Sequence, residues 1–307
     1  MDRLEAMSML VTVVEKGSLS AAGRALHVPL ATLSRKISSL ETLLGTRLLI
    51  RTTRKLTLTE AGLAYMAASR RILEQVEDAE REAAGEFTVP KGELVMTAPI
   101  MFGRLYVLPV VADFLEKFSD INVRLILADR NVDLVGDHVD MAVRIGRLPD
   151  SSMVATQIGA MRTVTCASPA LLAGHGMPRN PDDLVRFPCV AVDSPLPSPS
   201  WHFRDARSGA TYEVLVLPRL SVTTADAAAQ AAIRSVGVTR LLHYQVAGAV
   251  ASGALQIVLE AYEPDPVPVH LVHASQGQMP LKMRRFLDFA APVLRQALGR
   301  IDYATAS

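Results

Sequence analysis

The residue types with an obvious chemistry are basic ones, crowded into one stretch. Seven Lys/Arg (Arg24, Arg35, Lys36, Arg47, Arg51, Arg54 and Lys55) stand between positions 24 and 55 against one acid, Glu41. Cations at that density neutralise phosphates and release the counterions of a nucleic acid, which drives association. The rest of the chain does not share the bias. Residues 1–58 carry nine basic and four acidic side chains, residues 59–90 three and seven, and residues 91–307 twenty of each, so that the formal net charge is only +1. A polyanion should therefore dock on the N-terminal part.

Other chemistries lack their residues. There is no G-x-S-x-G elbow, no glycine-rich phosphate loop and no H-E-x-x-H run. His270 and His273 are three apart on an expected strand, face opposite ways and should not share a metal. The two cysteines, Cys166 and Cys189, lie in apolar segments without a basic, exposed setting, which reads as buried, inert thiols in a reducing compartment. We expect no catalytic residue, cofactor or metal. The N-terminus makes a poor signal peptide and no apolar run approaches the roughly 18–20 residues of a membrane span, so the expected protein is soluble and cytoplasmic. At 307 residues it has room for two or three domains.

The elements that must position the basic residues are short helices. Leu4, Met7, Leu10, Val11 and Val14 predict an amphipathic helix over 2–16, stopped by Gly17. Ser18 or Ser20 can cap a second helix over 20–26. There the small Ala21, Ala22, Gly23 and Ala25 allow close helix crossing, although a tolerated surface glycine is the plainer alternative for Gly23. Pro29 suits the first position of a third helix over 30–43, whose buried face is Leu33, Ile37, Leu40 and Leu44. Its other face shows Ala31, Thr32, Ser34, Arg35, Lys36 and Ser38. Small residues there let a backbone approach base edges and Arg35 can reach a guanine, so this face suits DNA readout; a solvated helix surface is the bland alternative. Gly45 ends the helix. Arg47–Arg51 and Lys55–Leu58 predict a basic hairpin that lays Arg51, Arg54 and Lys55 along the DNA backbone or in the minor groove. Thr59 can cap a long helix over 60–85 with an apolar stripe of Leu63, Met66, Leu73, Val76, Ala79 and Ala83, and Gly85–Gly92 reads as a hinge.

The order Ala22/Leu26/Val28, Ser34-Arg35, Ile37, Leu40-Glu41, Leu44-Gly45, Leu48, Arg51, Arg54, Leu58-Thr59 and Gly62 resembles the winged helix-turn-helix of the LysR-type transcriptional regulators. Pro29 departs from the Ser or Thr cap usual there, and Leu49 from the usual Phe. The resemblance implies a duplex-DNA partner with an interrupted inverted repeat, a homodimer formed through helix 60–85, assembly to a homotetramer, and contact with RNA polymerase if the protein activates. Helix 60–85 packing on its own domain is the alternative.

Beyond the hinge, strands alternate with helices, which argues a mostly parallel sheet covered on both faces. Strands are expected at 93–98, 123–128, 140–145 (after a short helix), 153–158, 163–166, 189–193, 212–216, 237–240, 255–258 and 267–273. Helices are expected near 103–118, 169–174, 181–186, 225–235, 243–251 and 280–298. The runs ELVMTAPIMFGRLYVLPVVADF, VDMAVRIG, ASPALLAGHGMP and PLKMRRFLDFAAPVLR resemble the periplasmic-binding-protein-like co-inducer domain of the same family. The expected organisation is then a winged helix-turn-helix domain (1–58), a linker helix and hinge (59–91), and an α/β effector domain (92–302). Within the last, lobe I is 92–162 plus 266–300 and lobe II is 163–265.

Ligands of open α/β sheets sit at the carboxyl ends of strands, between lobes. That rule selects Thr97, Ala98 and Pro99, where backbone N–H groups and the Thr97 hydroxyl can hold a carboxylate. It also selects Arg144 and Gly146, Ser194 and Pro195, and Thr224, with Met101 and Phe102 nearby as an apolar wall for a small carboxylate or aromatic effector. Thr97 and Thr224 read equally as helix caps, and Arg144 as half of a cross-lobe salt bridge. Two other readings compete with a ligand-responsive regulator. One is a transporter's solute-binding protein, disfavoured by the basic N-terminal unit; the other is a hydrolase or transferase, for which no constellation is present.

Overall fold

The computed structural model describes residues 2–51, 56–83, 89–149, 153–192, 200–205, 207–274 and 279–303. The chain divides into two compact units, Met1–Gly92 and Glu93–Ser307.

The first unit opens with α1 (Arg3–Glu15), capped by Asp2, whose Oδ1 accepts the Leu4 and Glu5 N–H groups at 2.9 and 3.3 Å. Helix α2 (Leu19–Ala25) is capped by Ser18, whose hydroxyl accepts from Ala21 at 3.1 Å. Helix α3 (Leu30–Leu44) buries Leu33, Ile37 and Leu40 against Ala6, Leu10, Val13 and Ala22. Each of the Leu, Ile and Val side chains among them contributes about 1.5–3 kcal/mol on burial. Two expectations change here. Pro29 is the N-cap rather than the first helical residue and supplies no side-chain cap. Leu44 is 38% exposed, because Gly45 turns the chain left-handed (φ 66°) one residue on and ends the packed face at Leu40. Gly23 is buried; a Cβ there would stand 2.9 Å from the Val28 carbonyl, so the close approach is to the turn that leads into α3. Strands β1 (Leu49–Arg51) and β2 (Leu56–Leu58) pair antiparallel. The lone acid Glu41 is structural: its Oε1 accepts the Leu48 and Leu49 N–H groups at 2.8 and 3.0 Å. Thr59 caps α4 (Glu60–Ala83) by accepting from Gly62 at 2.8 Å. Helix α4 lies against α1, with Met66 and Ser69 buried and an Arg70–Glu15 ion pair at 2.9 Å. Leu63 on its stripe stays 60% exposed.

The second unit holds two five-stranded sheets. One runs β4-β3-β5-β14-β6, from β3 (Gly92–Ala98), β4 (Ile121–Leu127), β5 (Met141–Ile145), β6 (Met153–Met161) and β14 (Val267–Ala274). The other runs β11-β8-β12-β7-β13, from β7 (Thr163–Ala167), β8 (Cys189–Val192), β11 (Pro218–Val222), β12 (Val238–Leu242) and β13 (Gln256–Val258). A hairpin of β9 (Ser200–Arg204) and β10 (Thr211–Leu215) accompanies the second sheet. The sheets are mixed, not mostly parallel. Strand β14 runs antiparallel to β5 and β6, and β7 antiparallel to β12 and β13. The reason is connectivity. Strand β7 enters its sheet from β6 of the other one through Arg162 alone, and β14 likewise enters from the other sheet, so neither is placed by a crossover from a strand of its own sheet.

Helices cover both sheets: α6 (Leu108–Lys117) and α10 (Leu281–Tyr303) pack Phe114, Phe286 and Leu294 on the first, and α8 (Ala225–Ile233) packs Ala228 and Ala232 on the second. The first of these begins earlier than expected, as α5 (Ile100–Phe102) and a π-helical turn (Gly103–Val107) that runs into α6. The expected short helix before β5 is a set of turns over 134–138. Strand β11, unanticipated, starts at Pro218 and sits at a sheet edge, where proline's missing donor is tolerated. Strand β9 was also not expected, although buried Trp201 and Phe203 alternate with exposed His202 and Arg204.

Candidate nucleic-acid interface and effector cavity

On α3 the solvent face carries exposed Ala31 and Arg35, with Thr32, Ser34 and Lys36 half-buried. Burial of Leu33, Ile37 and Leu40 on the other side fixes this orientation. Lys36 is not free: its Nζ pairs with Glu5 of α1. The Arg51 backbone pairs with Leu56 in the hairpin; Arg54 and Lys55 lie outside the described residues. An open groove beside the start of α3 is lined by Ser20, Gly23, Arg24, His27, Val28, Pro29 and Leu30. His27 holds a left-handed backbone (φ 55°), the strained step that joins α2 to α3. Its place beside the groove, with Arg24 and Ser20, was not anticipated; the charge count had marked only Arg24.

In the second unit a cavity of about 90 Å³ opens at the carboxyl ends of β3, β4 and β5. Thr97, Ala98, Pro99 and Arg144 line it, joined by Asp129, Arg130, Asn131 and Val132 from the segment after β4. That segment also follows a strand end, the same position in the sheet that marks Thr97 and Arg144. Just beyond the Thr97–Pro99 segment, whose backbone N–H groups were expected to hold a carboxylate, the Ile100 N–H is taken by Asp129 Oδ1 at 2.9 Å. Pro99, not Thr97, is the cap residue of α5, and it makes no side-chain bond. Arg144 donates to the Asn131 side chain and the Val132 carbonyl, and among the described residues it makes no cross-lobe salt bridge. Burial lowers the pKa of Arg144, and among the described residues no carboxylate is in ion-pair reach of it.

The other candidates lie elsewhere. Phe102 is fully buried and Met101 packs on the same core. Gly146 donates to the Pro268 carbonyl at 2.9 Å. Thr224 caps α8, accepting from Ala227 at 3.3 Å. Ser194 and Pro195 lie outside the described residues. Close to the cavity, Tyr244, on α9 (His243–Ala251), meets Phe102 and Tyr106 edge-on at 5.7 and 6.0 Å between ring centroids. Burial pushes its phenol up to about 12. Cys166 and Cys189 are fully buried, and desolvation pushes their thiols up to about 12 and about 11. Strand β12 separates them, which puts their Cα atoms about 10 Å apart, beyond disulfide reach.

A winged helix-turn-helix together with a two-sheet α/β unit that has a small polar recess at its strand ends defines a DNA-binding transcriptional regulator with its own effector-binding domain. Residues 4–63 match the bacterial regulatory helix-turn-helix protein, lysR family, and residues 88–295 match the LysR substrate binding domain. The chain belongs to the LysR family of transcriptional regulators. An HTH-type transcriptional regulator of Xanthomonas campestris pv. campestris is 34% identical over 287 residues, 92% of this chain and 82% of its own length. The regulator CrgA of Neisseria meningitidis is 31% identical over 93% of this chain and 95% of its own. The solved CrgA structure superposes with a TM-score of 0.60 at 30% identity, covering 94% of this chain and 98% of that one. Full-length AphB of Vibrio cholerae gives 0.60 at 27%, with the same coverages. The relatives are regulators, and this chain is not an enzyme. Among the described residues no helix is long and apolar enough to cross a membrane.

Proposed function

We propose that the protein reads an interrupted inverted repeat in duplex DNA as a homodimer, and that a small carboxylate bound at the Thr97–Arg144 cavity changes that binding. Residues 1–58 form the DNA-binding domain, 59–91 the linker and 92–302 the effector domain with lobes at 92–162 plus 266–300 and at 163–265. Thr32, Ser34 and Arg35 meet base edges and nearby phosphates, while Arg51, Arg54 and Lys55 follow the backbone. The dimer forms through α4, whose Leu63 remains 60% exposed in the single chain, and dimers pair into a tetramer. The protein acts in the cytoplasm, and contacts RNA polymerase where it activates.

The observation that carries the DNA reading is the α3 face itself: small and polar residues around an exposed Arg35, held outward by a buried Leu33–Ile37–Leu40 edge. For the effector it is Arg144, a half-buried guanidinium on a cavity wall without a paired carboxylate. Gel-shift and footprinting on the protein's own upstream region test the first; a specific protected inverted repeat at moderate salt is expected, and its absence refutes it. A thermal-shift screen of small carboxylates tests the second.

A further inference from the structure

Three charged residues line the cavity, Arg144, Arg130 and Asp129, and among the described residues Asp129 is in ion-pair reach of neither arginine, so its charge faces the cavity together with that of Arg144. Arg144 presents a guanidinium with two of its donors spent, on Asn131 and on the Val132 carbonyl. A guanidinium carries five N–H donors, so the remainder are open to a ligand carboxylate. Asp129 spends one oxygen on the Ile100 N–H and leaves the other. Thr97, 4% exposed, adds a hydroxyl on the same wall. A ligand bearing only a carboxylate would meet Arg144 favourably and Asp129 unfavourably. A ligand bearing an ammonium beside its carboxylate satisfies both.

Size narrows the class further. About 90 Å³ is far below the roughly 300 Å³ at which whole drug-sized ligands are enclosed, so the cavity has room for a head group and not for a whole ligand. An ammonium, one carbon and a carboxylate fit; an aromatic body does not and must project from the opening.

We propose that this cavity takes the head group of an α-amino acid, with the carboxylate on Arg144 and Thr97 and the ammonium on Asp129. The proposal rests on the reading of this unit as the effector domain and names the effector's class.

The test uses the full-length protein. Thermal shift, then calorimetry, compares the common L-amino acids with their 2-hydroxy-acid counterparts and with the corresponding amines. At least one amino acid should bind, with both counterparts weaker by tenfold or more. Asp129→Asn keeps an acceptor for the Ile100 N–H but removes the charge, so it should bring the amino acid down to the level of its hydroxy acid. Asp129→Glu, which keeps the charge, should retain the preference and serves if the first variant does not fold. Arg144→Gln should weaken amino acid and hydroxy acid alike. Equal binding of amino and hydroxy acids, or an unchanged ratio in Asp129→Asn, overturns the proposal. If plain carboxylates stabilise the protein and no amino acid does, the head-group assignment fails while the effector reading stands. If neither set binds although the same preparation shifts its operator, both fail and the DNA reading alone survives.

Discussion

At the scale of single residues, Arg35 and Lys36 are neighbours with different employment. Arg35 is exposed and has the fork that reads guanine; its replacement by alanine should cost about 1–3 kcal/mol and relax preference at one operator position. Binding constants across single-base operator variants check this, and a uniform loss on all of them would place Arg35 on phosphate. Lys36 is held by Glu5, in a pair exposed enough to be worth under about 1 kcal/mol. A phosphate can therefore compete with Glu5 for it. Glu5→Gln should strengthen DNA binding at low salt and steepen the plot of log K against log salt by about one unit, the signature of one more phosphate contact. An unchanged slope would show that removing Glu5 adds no phosphate contact at Lys36. The thiols give a pH argument. With Cys166 and Cys189 pushed up to about 12 and about 11, both stay protonated at neutral pH. Iodoacetamide should leave both unmodified in the native protein and label both once it is unfolded; fast native labelling of either would contradict the burial.

Elements raise a different question, which is how closely two helices may meet. Helix α2 passes the turn into α3 at Gly23, where an added Cβ would approach the Val28 carbonyl to 2.9 Å. That oxygen is backbone, tied to the start of α3, and cannot swing aside. Gly23→Ala would gain helix propensity of about 1 kcal/mol but should lose more to overpacking, about 1–3 kcal/mol. A lowered melting temperature together with weaker operator binding is expected, because the same turn sets the entry of the reading helix. A raised melting temperature would mean that the turn yields. Helix α4 poses the opposite case. It covers Met66 and Ser69 against α1 yet leaves Leu63 exposed, so one helix has both an internal and an outward apolar side.

Across the whole effector unit the chain passes between its sheets twice. Arg162 is the single residue between β6 and β7, and Glu263 lies in the return segment before β14. Their side chains join at 2.8 Å through two bonds, and Glu260 adds a third at 3.0 Å. The hydrogen bond to Glu263 is the chief reason the Arg162 pKa is raised. A raised pKa means stability that is full below the unfolded value and lost only as pH climbs through the folded one, so through Arg162 it should not vary near neutrality. Glu263→Gln should cost about 1.5–3 kcal/mol by weakening charge-assisted bonds at both crossovers. Chemical denaturation followed on the effector unit's only tryptophan, Trp201, reads that loss; an unchanged midpoint would show the ion pair is dispensable.

What the amino-acid sequence determined by itself is mainly local. The caps at Ser18 and Thr59, the left-handed stop at Gly45 and the Leu33–Ile37–Leu40 edge all depend on a few neighbouring residues, and the structure keeps each of them. The outward face of α3 follows, since burying one side of a helix exposes the other. Tertiary structure decided what depends on distant partners. The direction of β7 and β14 follows from a chain that crosses between sheets and returns. Nothing near Lys36 in sequence announces Glu5, and nothing near Ile100 announces Asp129; those pairs exist because α1 meets α3 and because β4 ends beside β3. The cavity at the ends of β3, β4 and β5 belongs to that second kind: Thr97, Asp129 and Arg144 come from three separate segments, and only the sheet brings them to one wall.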